Sequence, residues 1–144
     1  MAHPSPSVTY WHLWTDTDGI SHLSERRFDA LSLKEVAHGA VPILVESMGS
    51  TDPGSIDVAV VRAGVVGEWH EDPRPLWGAV LTGRFFLEAM DGTRVELTAG
   101  HLFLGEDQGT HSPDGRRGHR SGAVGDDDVT LIMVPVHDPR RGSS

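Results

Sequence analysis

The chain has no cysteine, which excludes disulfides, thiolate metal sites and thiol nucleophiles. That usage suits a reducing cytoplasm, where the protein is expected. It has a single lysine, Lys34, and its arginines are scattered apart from Arg116, Arg117 and Arg120 in one Gly-rich loop. With a formal charge of −9, the surface is poorly suited to a phosphate backbone, so no nucleic acid is expected as a partner. The arginine loop is at most a holder of a small anion. No apolar run approaches the roughly 20 residues of a membrane-spanning helix, and Met1–Ser7 lacks the layout of a signal peptide, so no membrane is expected either. There is no G-x-S-x-G elbow, which argues against a serine hydrolase. Neither a G-x-G-x-x-G turn nor a P-loop occurs, which leaves nucleotide cofactors without a site.

What is present points to strands. The 144 residues include 17 Gly and nine Pro with an apolar fraction of 38%, a composition that suits a small β domain better than a helical bundle. Strands are expected at Val8–Trp14, Ile20–Phe28, Val41–Met48, Ile56–Ala63, Leu76–Thr82, Arg84–Met90, Thr93–Leu97, His101–Leu104, His119–Val124 and Val129–Val136. Asp16–Gly19 and Asp91-Gly92 read as hairpin turns, and Pro53 breaks the loop 49–54. The one plausible helical turn is Leu31–His38. Residues 1–7 and 138–144 read as tails, leaving one domain over 8–137. Short strands at this spacing call for an all-β sandwich or jelly roll.

The span 64–136 resembles the cupin superfamily. The resemblance is carried by Gly67-Glu68-Trp69-His70-Glu71-Asp72-Pro73-Arg74, Val80-Leu81-Thr82-Gly83-Arg84-Phe85, Thr98-Ala99-Gly100-His101 through Glu106-Asp107, and Gly118-His119-Arg120. It is nearest to small bacterial cupins that read W-H-x-x-P-R and E-D-x-x-G-x-G-H. These share an N-terminal Tyr and an Asp-x-x-Gly-x-Ser-His, here Tyr10 and Asp16 to His22. The resemblance implies a single-domain cupin-type jelly-roll β-barrel with a small-molecule pocket. It also implies a homodimer, helped by an N-terminal strand long enough to cross to a partner.

Two departures from the cupin motifs bear on the site. His70 takes the first histidine position, Asp72 stands where the second belongs, and Leu76 falls where a glutamate is expected. In the second motif, plain spacing selects His111, whereas alignment on the Arg-Gly-His end makes 111–115 an insertion and selects His119. His119 is preferred and His111 retained. The metal set the resemblance implies is thereby reduced to His70, Asp72, His111 or His119, with Gln108 as a further candidate.

Three readings of the chemistry follow. The leading one is a small-molecule enzyme of the cyclase, isomerase or lyase kind that uses no metal or other cofactor. In it His70, His119 or His111 and Asp72 exchange protons, and Arg74 holds an anionic group. The second is an oxygenase with one divalent metal (Fe, Mn, Ni or Zn) on a His/Asp/His set. The third is a non-catalytic small-molecule binder. Trp69, Trp77, Phe85, Phe103 and Arg62 are the candidate pocket lining, Trp69 ranking above the mid-strand Trp14 because it adjoins the polar motif.

Overall fold

The computed structural model describes residues 7–35, 37–50 and 55–137, with eleven strands and no helix among them. The expected breaker Pro53 and the tails 1–6 and 138–144 lie outside the described residues.

Period-2 alternation decides which way each strand faces. In β1 (Thr9–Thr15) Trp11 and Leu13 turn to the core, while Tyr10, His12 and Trp14 turn away from it. β2 (Ser21–Arg27) pairs with β1 antiparallel, so Leu23 faces Leu13 across the register. β5 (Asp57–Val61), β6 (Leu76–Thr82), β9 (Leu102–Glu106) and β11 (Val129–Pro135) complete a six-stranded sheet of order β2-β1-β9-β6-β11-β5. Facing it, β7 (Phe85–Ala89), β8 (Arg94–Leu97) and β10 (His119–Ala123) form a second sheet of order β10-β7-β8. Isolated bridges Val66↔Gly122 and His70↔His119 lay residues 65–70 along the free edge of β10 as an irregular fourth strand. From β5 onward the chain passes repeatedly between the two sheets, which is a jelly-roll β-barrel.

One apolar core fills the space between the sheets, built from Leu13, Leu23, Val80, Phe85, Leu87, Leu97, Phe103, Val129 and Leu131 among others. Phe85 and Phe103 stack across it at 5.8 Å. Gly78 makes that possible, because a Cβ there would overlap the Phe103 ring. The Asp91-Gly92 turn joins β7 to β8 as expected, with Gly92 at φ 92°.

The expected helical turn over 31–38 is not found. Ser32–Lys34 is instead a short strand, β3, paired antiparallel with β4 (Ile43–Val45). So short a segment cannot pay for helix nucleation without a buried apolar face, and Leu33 is largely exposed. The same pairing shortens the expected Val41–Met48 strand.

Phe28 and Met48 lie on the outer face of the large sheet. There Trp77 Nε1 donates to the Met48 carbonyl at 2.6 Å, and Tyr10 and Phe28 pack on the Trp77 ring. Beyond it, Val58 and Val60 of β5, Ile132 of β11 and Leu81 of β6 stay exposed.

Candidate functional site

The irregular strand 65–70 and β10 bring the first pair of side chains together. His70 N–H donates to His119 O and His119 N–H to His70 O, both at 3.0 Å, so the two residues are a directly opposed, hydrogen-bonded pair whose side chains share a face. Their rings lie 4.8 Å apart. Gly118 permits this approach, since it takes φ +60° and a Cβ on it would overlap the His70 carbonyl. Asp72, just past the bridge, joins them. One of its oxygens is 3.7 Å from His70 Nε2 and the other 3.9 Å from His119 Nε2.

Each imidazole is held from behind. His70 Nδ1 lies 2.8 Å from the Glu68 carbonyl, which can only accept, so Nδ1 carries a proton and Nε2 is the free face. His119 Nδ1 lies 2.6 Å from Asp107 Oδ2, a fully buried carboxylate at the end of β9. Gly105, two residues earlier on the same face, lies beside both carboxylates, and a Cβ there would be in ordinary contact with an Asp72 and an Asp107 oxygen. The second Asp107 oxygen is buried with no hydrogen-bond partner among the described residues.

Burial would lower the basicity of His119, but the hydrogen bond and charge of Asp107, with Asp72 in support, hold its pKa above the ordinary value. Burial raises the pKa of Asp72, and Asp107 adds to this. The nearby His119 and His70 pull the other way without cancelling it.

A second layer fixes the loop that delivers Asp107. Glu71 accepts hydrogen bonds from Gly109 N, Thr110 N and the Thr110 hydroxyl. Thr110 Oγ1 in turn accepts from Gly118 N at 2.7 Å. Gln108 Nε2 donates to the Asp72 carbonyl at 3.3 Å. Gln108 thus braces the Asp72 backbone through its side-chain amide, while Glu71 staples the loop 107–118.

The His70, Asp72 and His119 side chains offer three ligand atoms within 4.8 Å of one another. This is the two-histidine, one-carboxylate donor set that suits a divalent transition metal. Metal-binding histidines characteristically donate their other ring N–H to a carbonyl or a carboxylate, and both histidines here do so. The donor set therefore fits such an ion.

No protein-family model matches the chain, and neither does any curated protein. Among solved structures it is similar to the cupin domain of Schizosaccharomyces pombe Cnp3, at 12% identity and a TM-score of 0.45, over 96% of this chain and 88% of that one.

The remaining candidates from the sequence lie elsewhere. His111 is exposed, and its backbone N–H donates to Gly19 O at 2.7 Å, so it belongs to the rim and not to the cluster. Trp69 is partly buried on the opposite face of its strand from the half-exposed His70, under the guanidinium groups of Arg116 and Arg120. Trp77 is on the outer face of the large sheet, and Phe85 and Phe103 are core. Arg62 is exposed and pairs with Asp128. Arg74, two residues after Asp72, lines a cleft of about 280 Å³ with Ser55, Asp57, Pro73, Leu76, Met133 and Pro135, which the two histidines do not line. Leu76, at the position of the missing glutamate, is one wall of that cleft.

Asp107 and Glu71 are the residues whose part the sequence reading left unassigned. Their signal was the parity of Phe103, Gly105 and Asp107, which puts Asp107 on the inner face with His119.

Proposed function

We propose that this chain is a cupin-type domain that holds one divalent transition metal on His70 Nε2, His119 Nε2 and the Asp72 carboxylate and acts on a small molecule there. One observation carries the reading. Both imidazoles have Nδ1 committed to a fixed acceptor, so both present Nε2 to the same carboxylate. When bound, such an ion supplies Lewis acidity or, as iron, oxygen chemistry at its open positions. The protein's own residues do the rest. Asp107 and Glu68 fix the two rings, and Glu71 keeps the loop 107–118 in register with the 65–72 strand. Arg74 lines the adjoining cleft together with Leu76 and Met133.

A second reading, acid–base catalysis without a metal, is favoured by the partly buried Asp72, whose raised pKa gives a carboxyl able to release or take a proton beside two histidines. In that case the reaction is of the isomerase, cyclase or lyase kind. Elemental analysis of the purified, tag-free protein by plasma mass spectrometry, before and after chelator dialysis, separates the two. Near-stoichiometric Fe, Mn, Ni or Zn that is lost on His119→Ala supports the metal centre. An empty protein that does not take up any of these ions moves the assignment to acid–base chemistry.

The exposed Val58, Val60, Ile132 and Leu81 lie together on the outer face of the large sheet, and contiguous exposed apolar patches on soluble proteins mark interfaces. This supports pairing with a second copy, as the cupin resemblance implies. Light scattering on Val58→Glu tests it, since a dimer formed there falls to monomer.

A further inference from the structure

The motif Asp16-Thr17-Asp18-Gly19-Ile20-Ser21-His22 lies outside the metal cluster, yet each of its polar anchors is committed. Asp16 Oδ1 accepts from Asp18 N and Ile20 N, which shapes the β1–β2 turn. Gly19, at φ +84°, packs directly on His111 and gives its carbonyl to the His111 N–H. Ser21, fully buried, donates its hydroxyl to Gly118 O at 2.6 Å and accepts from Met90 N at 2.8 Å. Its carbonyl accepts from Asp91 N at 3.1 Å. Three rim segments therefore meet here: the β1–β2 turn, the β7–β8 turn and the loop 107–118 that carries Asp107.

His22 ties two of them by charge. Its Nε2 lies 2.7 Å from Asp16 Oδ2 and its Nδ1 2.9 Å from Asp91 Oδ2, and Trp14 stacks on the ring at 4.5 Å and 18°. A carboxylate can only accept, so both nitrogens must carry protons for both bonds to exist. Neutral imidazole has one N–H. On losing its proton, His22 keeps one carboxylate and turns a lone pair on the other.

We propose that Asp16, His22 and Asp91 form a proton-operated latch on the barrel rim, closed while His22 is an imidazolium and opened on one side when it is neutral. The latch is independent of what the site binds. Its neighbours do not compete for the ring. Asp16 and Asp91 bond it directly, whereas Arg116 of the packed loop donates to Met90 O and pairs with Asp114. His111 presents its backbone to the turn with its side chain exposed. The hydrogen bond to Asp16 and the charges of both aspartates raise the pKa of His22 against the effect of burial, and Asp16 is lowered by the same bond. The latch is therefore closed while His22 stays protonated, and it opens as pH rises through the raised His22 value.

The test is amide hydrogen exchange by NMR on the full chain from pH 6 to 9, corrected for intrinsic base catalysis, alongside the His22 ring titration. The latch predicts that the Met90, Asp91 and His111 amides lose about tenfold in protection at the pH where His22 titrates. Asp91→Asn is the decisive variant, because its amide can donate to a neutral His22 while the ring still donates to Asp16. In that variant the step should vanish with the fold intact. No step in the wild type, or a step that survives in Asp91→Asn, overturns the proposal. If Asp91→Asn does not fold, the wild-type profile decides alone.

Discussion

His70 and His119 exchange both of their backbone hydrogen bonds, at 3.0 Å each, across a single antiparallel bridge between an irregular strand and β10. The site therefore depends on strand register. A slip of one residue would turn one imidazole to the outer face and separate it from Asp72. Such precision is achieved on sheet backbone, with Gly118 admitting the close approach.

The first prediction separates the two histidines that the second motif offers. His119→Ala and His70→Ala should each lower divalent-metal affinity at least about 100-fold, since ligand loss exceeds the 10- to 100-fold cost of losing an outer-shell partner. His111→Ala should leave affinity unchanged, because only its backbone is engaged. Competition against a fluorescent chelator measures all three. Equal losses for His111→Ala and His119→Ala would sink the assignment.

Asp107 gives the second. Its carboxylate holds His119 Nδ1 at 2.6 Å from a fully buried position. Asp107→Asn keeps the shape and an acceptor but removes the charge, and should weaken metal binding by about 10- to 100-fold. It should also bring the His119 pKa down, which NMR titration of the metal-free protein reads. Asp107→Ala leaves the His119 N–H buried without a partner and should cost about 1–3 kcal/mol of stability in denaturant unfolding.

How much of this could be read beforehand follows parity and local chemistry. Alternation and the Asp91-Gly92 turn located β6, β7 and β8 closely, and the Trp-His-x-x-Pro-Arg and Gly-His segments singled out His70, Asp72 and His119. The lining residues were placed less well because parity was not applied to them. Trp69 adjoins His70 and so takes the face opposite the His70–His119 pair, and Trp77 likewise takes the face opposite Gly78 on β6. The helical turn over 31–38 failed because the pairing of Leu33 with Leu44 is a cross-strand contact that local propensity does not contain. The His22 clamp was unreadable for a similar reason. Asp91 reaches it from a turn nearly seventy residues away, and nothing local to His22 announces a second carboxylate.

A third prediction concerns packing. A methyl group on Gly78 would overlap the Phe103 ring, which lies across β6 in a core position 5% exposed. Gly78→Ala should therefore destabilise by about 1–3 kcal/mol, the usual range for overpacking. Phe103→Leu frees part of that volume, so the double variant should recover some of the loss made by Gly78→Ala. The coupling is read from chemical denaturation of the four proteins. Strict additivity would mean that the two residues do not share the space.

The last prediction is a pH dependence with a defined sign. Burial works to raise the pKa of Glu71, but the Thr110 hydroxyl, the Thr110 and Gly109 N–H groups and the charge of Arg117 outweigh it and hold the carboxylate below its usual value of 4.5. A group depressed in the folded state stabilises it above the unfolded pKa, and that contribution disappears as pH falls through the depressed value. Stability should therefore decline as pH is lowered below about 4.5, and Glu71→Gln should flatten that part of the profile while lowering stability at pH 7. Thr110→Val is the control on mechanism. It removes the hydroxyl that donates to Glu71 and accepts from Gly118 N, so it should return the Glu71 pKa toward its ordinary value and reduce the same acid slope. Thermal melts of the three proteins between pH 3 and 7 give the comparison. If Glu71→Gln and the wild type show parallel profiles, the carboxylate is not what staples the loop 107–118 to the strand carrying His70.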